Sequence, residues 1–226
     1  MQSKNKPKIA IDGPAGAGKS SVARKVAGML ELKYLDTGAM YRAITLKVIM
    51  KNLQLDDLEL LNTVLSETEI NFGKDNQIIL DGKDVSDAIR QADVNKLVSP
   101  VSAISEVRRH LVSMQQDIAS ESNGIIMEGR DIASRVMPNA DFKFYLDASI
   151  EERAKRRCKE QLEKGINLAL DEVAKEIENR DKIDSQREDS PLTIVDDAIV
   201  IDTTGLSFEQ VVDRVVGTVN NELQQR

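Results

Sequence analysis

AIDGPAGAGKSSVAR, residues 10–24, places three glycines, a lysine and two adjoining serines directly after the short apolar run KIAID of residues 8–12. Gly13, Gly18, Lys19 and Ser20 fit the pattern G-x-x-x-x-G-K-[ST], and the pattern lies between a strand-like run and a helix-like one, the context that gives it meaning. Glycines let the backbone wrap so that several N–H groups point inward at phosphate oxygens, and the following helix adds its positive end. Lys19 is placed to meet the β and γ phosphates of a nucleoside triphosphate, Ser20 to offer a hydroxyl to Mg²⁺, and Gly16 to ease close approach. A dinucleotide-binding turn is disfavoured, because the spacing that starts at Gly16 and Gly18 meets Ser21 where a third glycine is required.

Working outward, the chain alternates strand and helix patterns. KYLD (33–36), GIIME (124–128), FKFYLD (142–147) and DAIVID (197–202) read as further buried strands, each next to a helical stretch. In the first helix Val22, Val26, Met29 and Leu30 fall on one face, a second helix is expected over about 39–51, and Phe208, Val211, Val212, Val215, Val216, Val219 and Leu223 form the stripe of the last. This predicts an α/β fold of the P-loop kind, in three layers, with a central, mainly parallel sheet covered on both faces. One region breaks the rhythm over about 67–90: EINF and QIIL flank the turn-forming GKDN, so a small β-containing lobe is inserted within a single domain spanning 1–226.

Composition narrows the function. A net charge of −7 speaks against a broad nucleic-acid surface, which needs basic residues to displace counterions. The single cysteine, Cys158, excludes an intramolecular disulfide and any cysteine-rich zinc site, and fits a reducing, cytoplasmic setting. The polar start MQSKNKPK and the lack of a long apolar run predict neither a signal peptide nor a membrane span. His110, the one histidine, sits in a helical pattern after EVRR and reads as an ordinary surface or packing residue.

A triphosphate site leaves the phosphoryl acceptor open. No N-K-x-D tetrad of a switch GTPase occurs, since Asn95 and Lys96 are followed by Leu97 and Val98, and neither H-R-D nor D-F-G of a protein kinase is present. What does occur is arginine at strand ends and on helices. YLDTGAMYR sets Thr37 at a strand-to-helix corner with Arg42 about a turn later, and EGRD sets Arg130 and Asp131 just past another strand. Both corners belong on the side of a parallel sheet where ligands bind, so Arg42 and Arg130 are candidates to clamp a second phosphate. A plain reading stands beside this one, with Thr37 as a helix cap and Arg42 as a solvated charge. In SIEERAKRRCKEQLEKG, Arg153, Arg156 and Arg157 share a helical face and suggest a cationic cap that closes over the triphosphate. In NRDKIDSQR, Arg180, Asp184 and Arg187 share another face, for which a solvated salt-bridge stripe is the alternative.

Taken together, IDGPAGAGKSS, YLDTGAMYR, EGRDI, YLDASIEERAKRR and RDKIDSQR resemble the bacterial cytidylate kinases, the ATP-dependent (d)CMP kinases of the nucleoside monophosphate kinase group, from about residue 8 to the end. The resemblance implies ATP binding by Gly13, Pro14, Ala15, Gly16, Ala17, Gly18, Lys19, Ser20 and Ser21, with Mg²⁺ as cofactor, a monophosphate-binding lobe in the insert, extended to about 65–95, and a lid over about 153–167. It implies that Thr37, where relatives often carry Ser, lies near the cytosine with Arg108, Asp131 and Arg187. Arg42 and Arg130 would then hold the CMP phosphate, and Ser99, Arg180 and Asp184 the sugar hydroxyls. Arg109 stands next to Arg108, so the base-side arginine is one of that pair. Lys19, Arg130, Arg153 and Arg157 are the groups expected to neutralise charge during transfer. The expected partners are small molecules, ATP and CMP or dCMP, with no nucleic acid, no membrane and a monomeric chain. Two positions depart from the pattern: Glu128 stands where relatives commonly have Asp, and Ile183 where some carry a basic residue. Kinases of another small acceptor, such as shikimate or a different monophosphate, and a nucleotide-dependent binding module are the rival readings.

Overall fold

Fully apolar strands such as Ile9–Ile11 and Ile125–Met127 bury both of their faces, which is the demand that a parallel sheet sandwiched by helices meets. The computed structural model describes residues 6–163 and 165–225, so the extreme N-terminal residues 1–5 of the polar start and position 164 of the expected lid lie outside the described residues. In chain order the main sheet and its first helices are β1 (Lys8–Asp12), α1 (Lys19–Leu30), β2 (Lys33–Asp36) and α2 (Thr37–Met50). The inserted region follows as α3 (Leu58–Ser66), β3 (Ile70–Phe72), β4 (Ile78–Leu80) and β5 (Lys83–Asp84). Next come α4 (Ala92–Ala103), α5 (Ser105–Glu121), β6 (Ile125–Gly129), β7 (Phe142–Asp147), α6 (Ile150–Glu163), α7 (Leu170–Gln186), β8 (Ile199–Asp202) and α8 (Phe208–Gln225).

Five parallel strands form the central sheet in the order β2-β6-β1-β7-β8. The chain leaves β1 toward one edge and β7 toward the other, so a crevice opens at the carboxyl ends of these neighbours. Alternation along the strands divides the core. Ala10, Ile125 and Met127 point to the face covered by α2, α4 and α5, whereas Ile9, Ile11 and Ile126 point to the face covered by α1 and α8. A third, small cluster of Ala154, Val173 and Ile177 joins α6 to α7.

The inserted region forms a separate antiparallel sheet, β3-β4-β5, with one strand more than a hairpin. GKDN closes as a tight 3₁₀ turn, Lys74–Asn76, with Asn76 at φ 62°. The apolar face of this sheet, Ile70, Ile78 and Leu80, enters the same core as α2 and β6. Lys47 fastens the region from beneath, with its ammonium 2.8 Å from the Asp81 carboxylate and 3.3 Å from the Glu67 carbonyl.

Two details depart from the sequence expectation. Met29, placed on the buried face of α1, is 49% exposed, and Phe208 at the start of α8 is 41% exposed; the buried stripes run through Val22 and Val26, and through Val211, Val212, Val215 and Val219. α2 begins at Thr37, ahead of the expected start, because the Asp36 carboxylate accepts the Ala39 N–H and caps it.

Candidate active site

The phosphate loop fills the turn between β1 and α1. Gly13 cannot be replaced without moving β7, since a Cβ there would lie 2.0 Å from the Leu146 carbonyl oxygen at a φ of 148°. Gly18 caps α1 in the left-handed region, at φ 86°, and offers no side chain to the first-turn N–H groups, which leaves the positive end of α1 to a ligand. Lys19 is buried, and its ammonium donates to the Pro14 carbonyl at 2.8 Å. Burial, then the charge of Arg130, lowers its pKa to about 7. Ser20 donates its hydroxyl to Glu128 at 2.6 Å, so the longer side chain at position 128 does reach the loop. Burial and the neighbouring Asp36 raise the pKa of that carboxyl to about 7.

Beside the loop, a cleft of about 460 Å³ opens between the ends of β6, α2, α4 and α7. Thr37, Arg108, Arg130, Asp131, Arg180, Asp184 and Arg187 all line it. Most of them are held by specific bonds. Thr37 is buried in the first turn of α2 and donates to the Glu128 carbonyl at 2.7 Å, so Asp36, and not Thr37, is the cap. Arg108 on α5 reaches under the cleft, donates to the Asp131 carboxylate and to the Ser102 carbonyl, and lies 5.3 Å from the centre of the Tyr41 ring. Burial acts to lower its pKa, but Tyr41 and Asp131 outweigh it, so the net shift is upward. Arg109 points the other way, exposed and paired with Glu106, which settles which of the two arginines faces the cleft. Ser99 is buried on α4 outside the cleft lining, and Ser102, one turn on, lines it instead.

The opposite end is cationic. Arg130 donates to Asp184 at 2.8 Å, and Arg187, which neighbours Arg108 and Asp131, lies 3.8 Å from the same carboxylate and so links the two parts of the cleft. Burial first, then the charges of Arg130, Arg42 and Arg157, push the Arg180 pKa down. Arg42 donates to Asn95 and is likewise pushed down by burial and by Arg157, Arg90 and Arg130. Among the described residues, buried Arg180 Nε, Arg187 Nη2, Arg108 Nε and the Tyr41 hydroxyl have no hydrogen-bond partner. Buried donors left unpaired cost free energy, so a group of them around one cleft marks it as built for a polar ligand.

The arginines read as one face of α6 separate in space. Arg153 turns to the loop and donates to Ala15 O at 3.0 Å, to Ala148 O at 2.9 Å and to Asp181 at 2.5 Å. Arg156 turns to the sheet edge and donates to the Thr203 hydroxyl at 2.9 Å and carbonyl at 2.7 Å. Arg157 faces Arg42 and Arg180. Helical spacing fixes the azimuth of these side chains but not the partner each long chain bends toward. His110 lies on α5 away from the cleft lining. Sequence reading missed Tyr41, Ser102 and Asp181; Tyr41 alone had a signal, one residue before Arg42 in a stretch already singled out.

A family model described as cytidylate kinase matches residues 9–221. The chain belongs to the cytidylate kinase family. It is 52% identical to a cytidylate kinase of Caldanaerobacter subterraneus over 92% of each chain, and 49% identical to that of Alkaliphilus oremlandii over 92% of this chain and 95% of the relative. With the cytidylate kinase of Pediococcus pentosaceus it shares 47% identity over 98% of this chain and 99% of the relative. Among solved structures, a gluconokinase from Sinorhizobium meliloti superposes with a TM-score of 0.53 at 10% identity, covering 98% and 96% of the two chains, a likeness of fold alone. Membership of this family fits a fold with the phosphate loop and the cleft on one side of a parallel sheet. No helix among the described residues is long and apolar enough to cross a membrane.

Proposed function

We propose that this chain transfers the γ-phosphoryl group of ATP to the 5′-phosphate of CMP or dCMP. A terminal oxygen of the acceptor phosphate attacks the γ phosphorus, the bond to the β–γ bridging oxygen breaks, and the products are ADP and CDP or dCDP. The observation that carries the reading is the cleft itself. Its cationic part, with Arg180 unpaired at Nε, adjoins Lys19 of the phosphate loop, and the Arg108 and Asp131 pair lines the same cleft with donors and an acceptor for a base edge.

The acceptor oxygen is already anionic at neutral pH, so no side chain need remove a proton, and catalysis is positioning plus charge neutralisation. Lys19 meets the β and γ phosphates, Arg42 and Arg130 hold the acceptor phosphate, and Arg180 with Asp184 holds the sugar. Thr37, Arg108, Asp131 and Arg187 read the base edge, and Arg153 and Arg157 come from the lid helix. Ser20 and Glu128 offer hard oxygen donors 2.6 Å apart, a pair suited to Mg²⁺ shared with substrate phosphates. Such an ion supplies charge neutralisation across the phosphates.

A coupled ADP-release assay with MgATP and CMP, dCMP, UMP, AMP, dTMP or shikimate tests the reading against a control without acceptor. Fast turnover confined to CMP and dCMP is expected. ADP release indifferent to acceptor would overturn it and leave a nucleotide-dependent ATPase or binding module.

A further inference from the structure

Asp12 closes β1, and the next residue, Gly13, opens the phosphate loop. Its carboxylate is 3% exposed and points across β6 to the turn that follows it. One oxygen accepts the Ile132 N–H at 2.9 Å and the other the Ala133 N–H at 2.8 Å. These two buried amides begin a π-type turn, Ile132–Val136, closed by Val136 N–H to Asp131 O at 3.3 Å and Met137 N–H to Ile132 O at 2.7 Å. Immediately before them stand Arg130 and Asp131, the two cleft residues on this segment.

We propose that Asp12 is a positioning residue that ties the phosphate loop to the turn carrying Arg130 and Asp131, so that the acceptor side of the cleft is set before CMP arrives. The inference rests on the acceptor reading given above. Backbone pairing brings Asp12 beside Gly129 but ends there, and from residue 130 onward the segment has no further partner on β1. The side chain supplies the missing tie at the point where sheet register stops. A cap that served stability alone would sit at either end of any turn. This one binds the turn to the strand that leads into the donor loop, and the residue directly before the two tied amides is Asp131 of the Arg108–Asp131 pair. Asp131 and Lys19 are the charged neighbours that face Asp12. Burial acts first to raise its pKa, to about 6, against the lowering effect of the two N–H bonds, so a carboxylate is kept in a place that disfavours charge and both of its oxygens are used.

The test uses the full chain with Asp12→Asn, which keeps the shape and turns one acceptor into a donor facing a donor. CMP and MgATP affinities are measured separately by calorimetry, each without the other substrate. CMP binding is expected to weaken roughly tenfold or more, the effect of leaving a buried donor unsatisfied, while MgATP binding stays within about threefold. In a double-mutant cycle with Asp131→Asn, the second substitution should cost CMP affinity far less in the Asp12→Asn background than alone, a coupling that a purely structural role would not produce. A folded Asp12→Asn protein with unchanged CMP affinity, with equal losses for both substrates, or with additive effects overturns the proposal. If that variant does not fold, amide exchange in the unaltered, nucleotide-free protein decides: Ile132 and Ala133 should be strongly protected, and exchange at open-loop rates sinks the idea. Failure of the acceptor reading shows separately, as an unaltered chain that binds MgATP but not CMP, in the first titration of the series.

Discussion

Two arginines that line the cleft, Arg108 fully buried and Arg180 half-buried, have surroundings that are opposites. Arg108 has a carboxylate, a carbonyl and an aromatic ring in place, and its charged form is favoured. Arg180 sits among Arg130, Arg42 and Arg157 with its Nε unpaired, and its charged form is disfavoured. The base end is therefore assembled from internal partners, whereas the phosphate end stores repulsion that an arriving dianion relieves. A single cleft can thus be rigid where it discriminates and under electrostatic tension where it binds tightly.

The largest effect expected from this contrast is at the paired end. Arg108→Met strands the Asp131 carboxylate in the interior and should cost about 3–5 kcal/mol of stability, read as a shift of the urea unfolding midpoint. A loss near zero would mean that the pair is not assembled in the free protein. Next is Lys19→Ala, expected to lower kcat by about 10²–10³ with thermal unfolding little changed, since the hydrogen bond of the Lys19 ammonium is to a backbone carbonyl of its own loop. At the unpaired end, Arg180→Met should weaken CMP binding by about tenfold to a hundredfold while leaving the free protein as stable as before or more so, because it removes a charge repelled by Arg130, Arg42 and Arg157. Equal destabilisation by Arg108→Met and Arg180→Met would erase the distinction between the ends.

Smaller effects sharpen it. Inorganic phosphate should raise the melting temperature through the cationic cluster, by about 2.7 kcal/mol of added stability at a hundredfold excess over its Kd, and Arg42→Met should abolish most of the gain. The smallest is a proton count. Lys19 has a folded pKa near 7, below its ordinary value, so free protein above that pH has lost part of the charge that triphosphate binding restores. MgATP binding at about pH 8 should therefore take up a fraction of a proton, measured by calorimetry in buffers of different ionisation enthalpy. The same sign makes the contribution of Lys19 to stability rise with pH between about 7 and 10.5, where the unfolded chain holds more protons.

Much of this arrangement was legible in the chain before folding was considered. The bounds of β1, β2 and β7 follow from apolar runs closed by a polar residue, and the phosphate loop follows from its glycine spacing. The cleft was legible as a set of side chains placed after strands, because a parallel sheet sends all such corners to one side. Illegible were the partners of long or buried polar chains. Nothing in the sequence says that Arg153 bends to Ala15 while Arg156 bends to Thr203, or that Asp181 receives Arg153. Asp12 looked like the polar end of a strand, and its role emerges only when β6 brings Ile132 and Ala133 beside it. The third strand of the insert, Lys83–Asp84, is too short and too polar to announce itself.

The hydrophobic cluster of Ala154, Val173 and Ile177, apart from the two that grip the sheet, has a bearing on how such a catalyst is remade. Because the helix pair carries its own miniature interior, it behaves as a cassette. Yet α7 also presents Arg180 and Asp184 to the cleft, so the pair can be exchanged as a unit only if those two positions are kept, and a change made in its interior reaches the donor side and the acceptor side together.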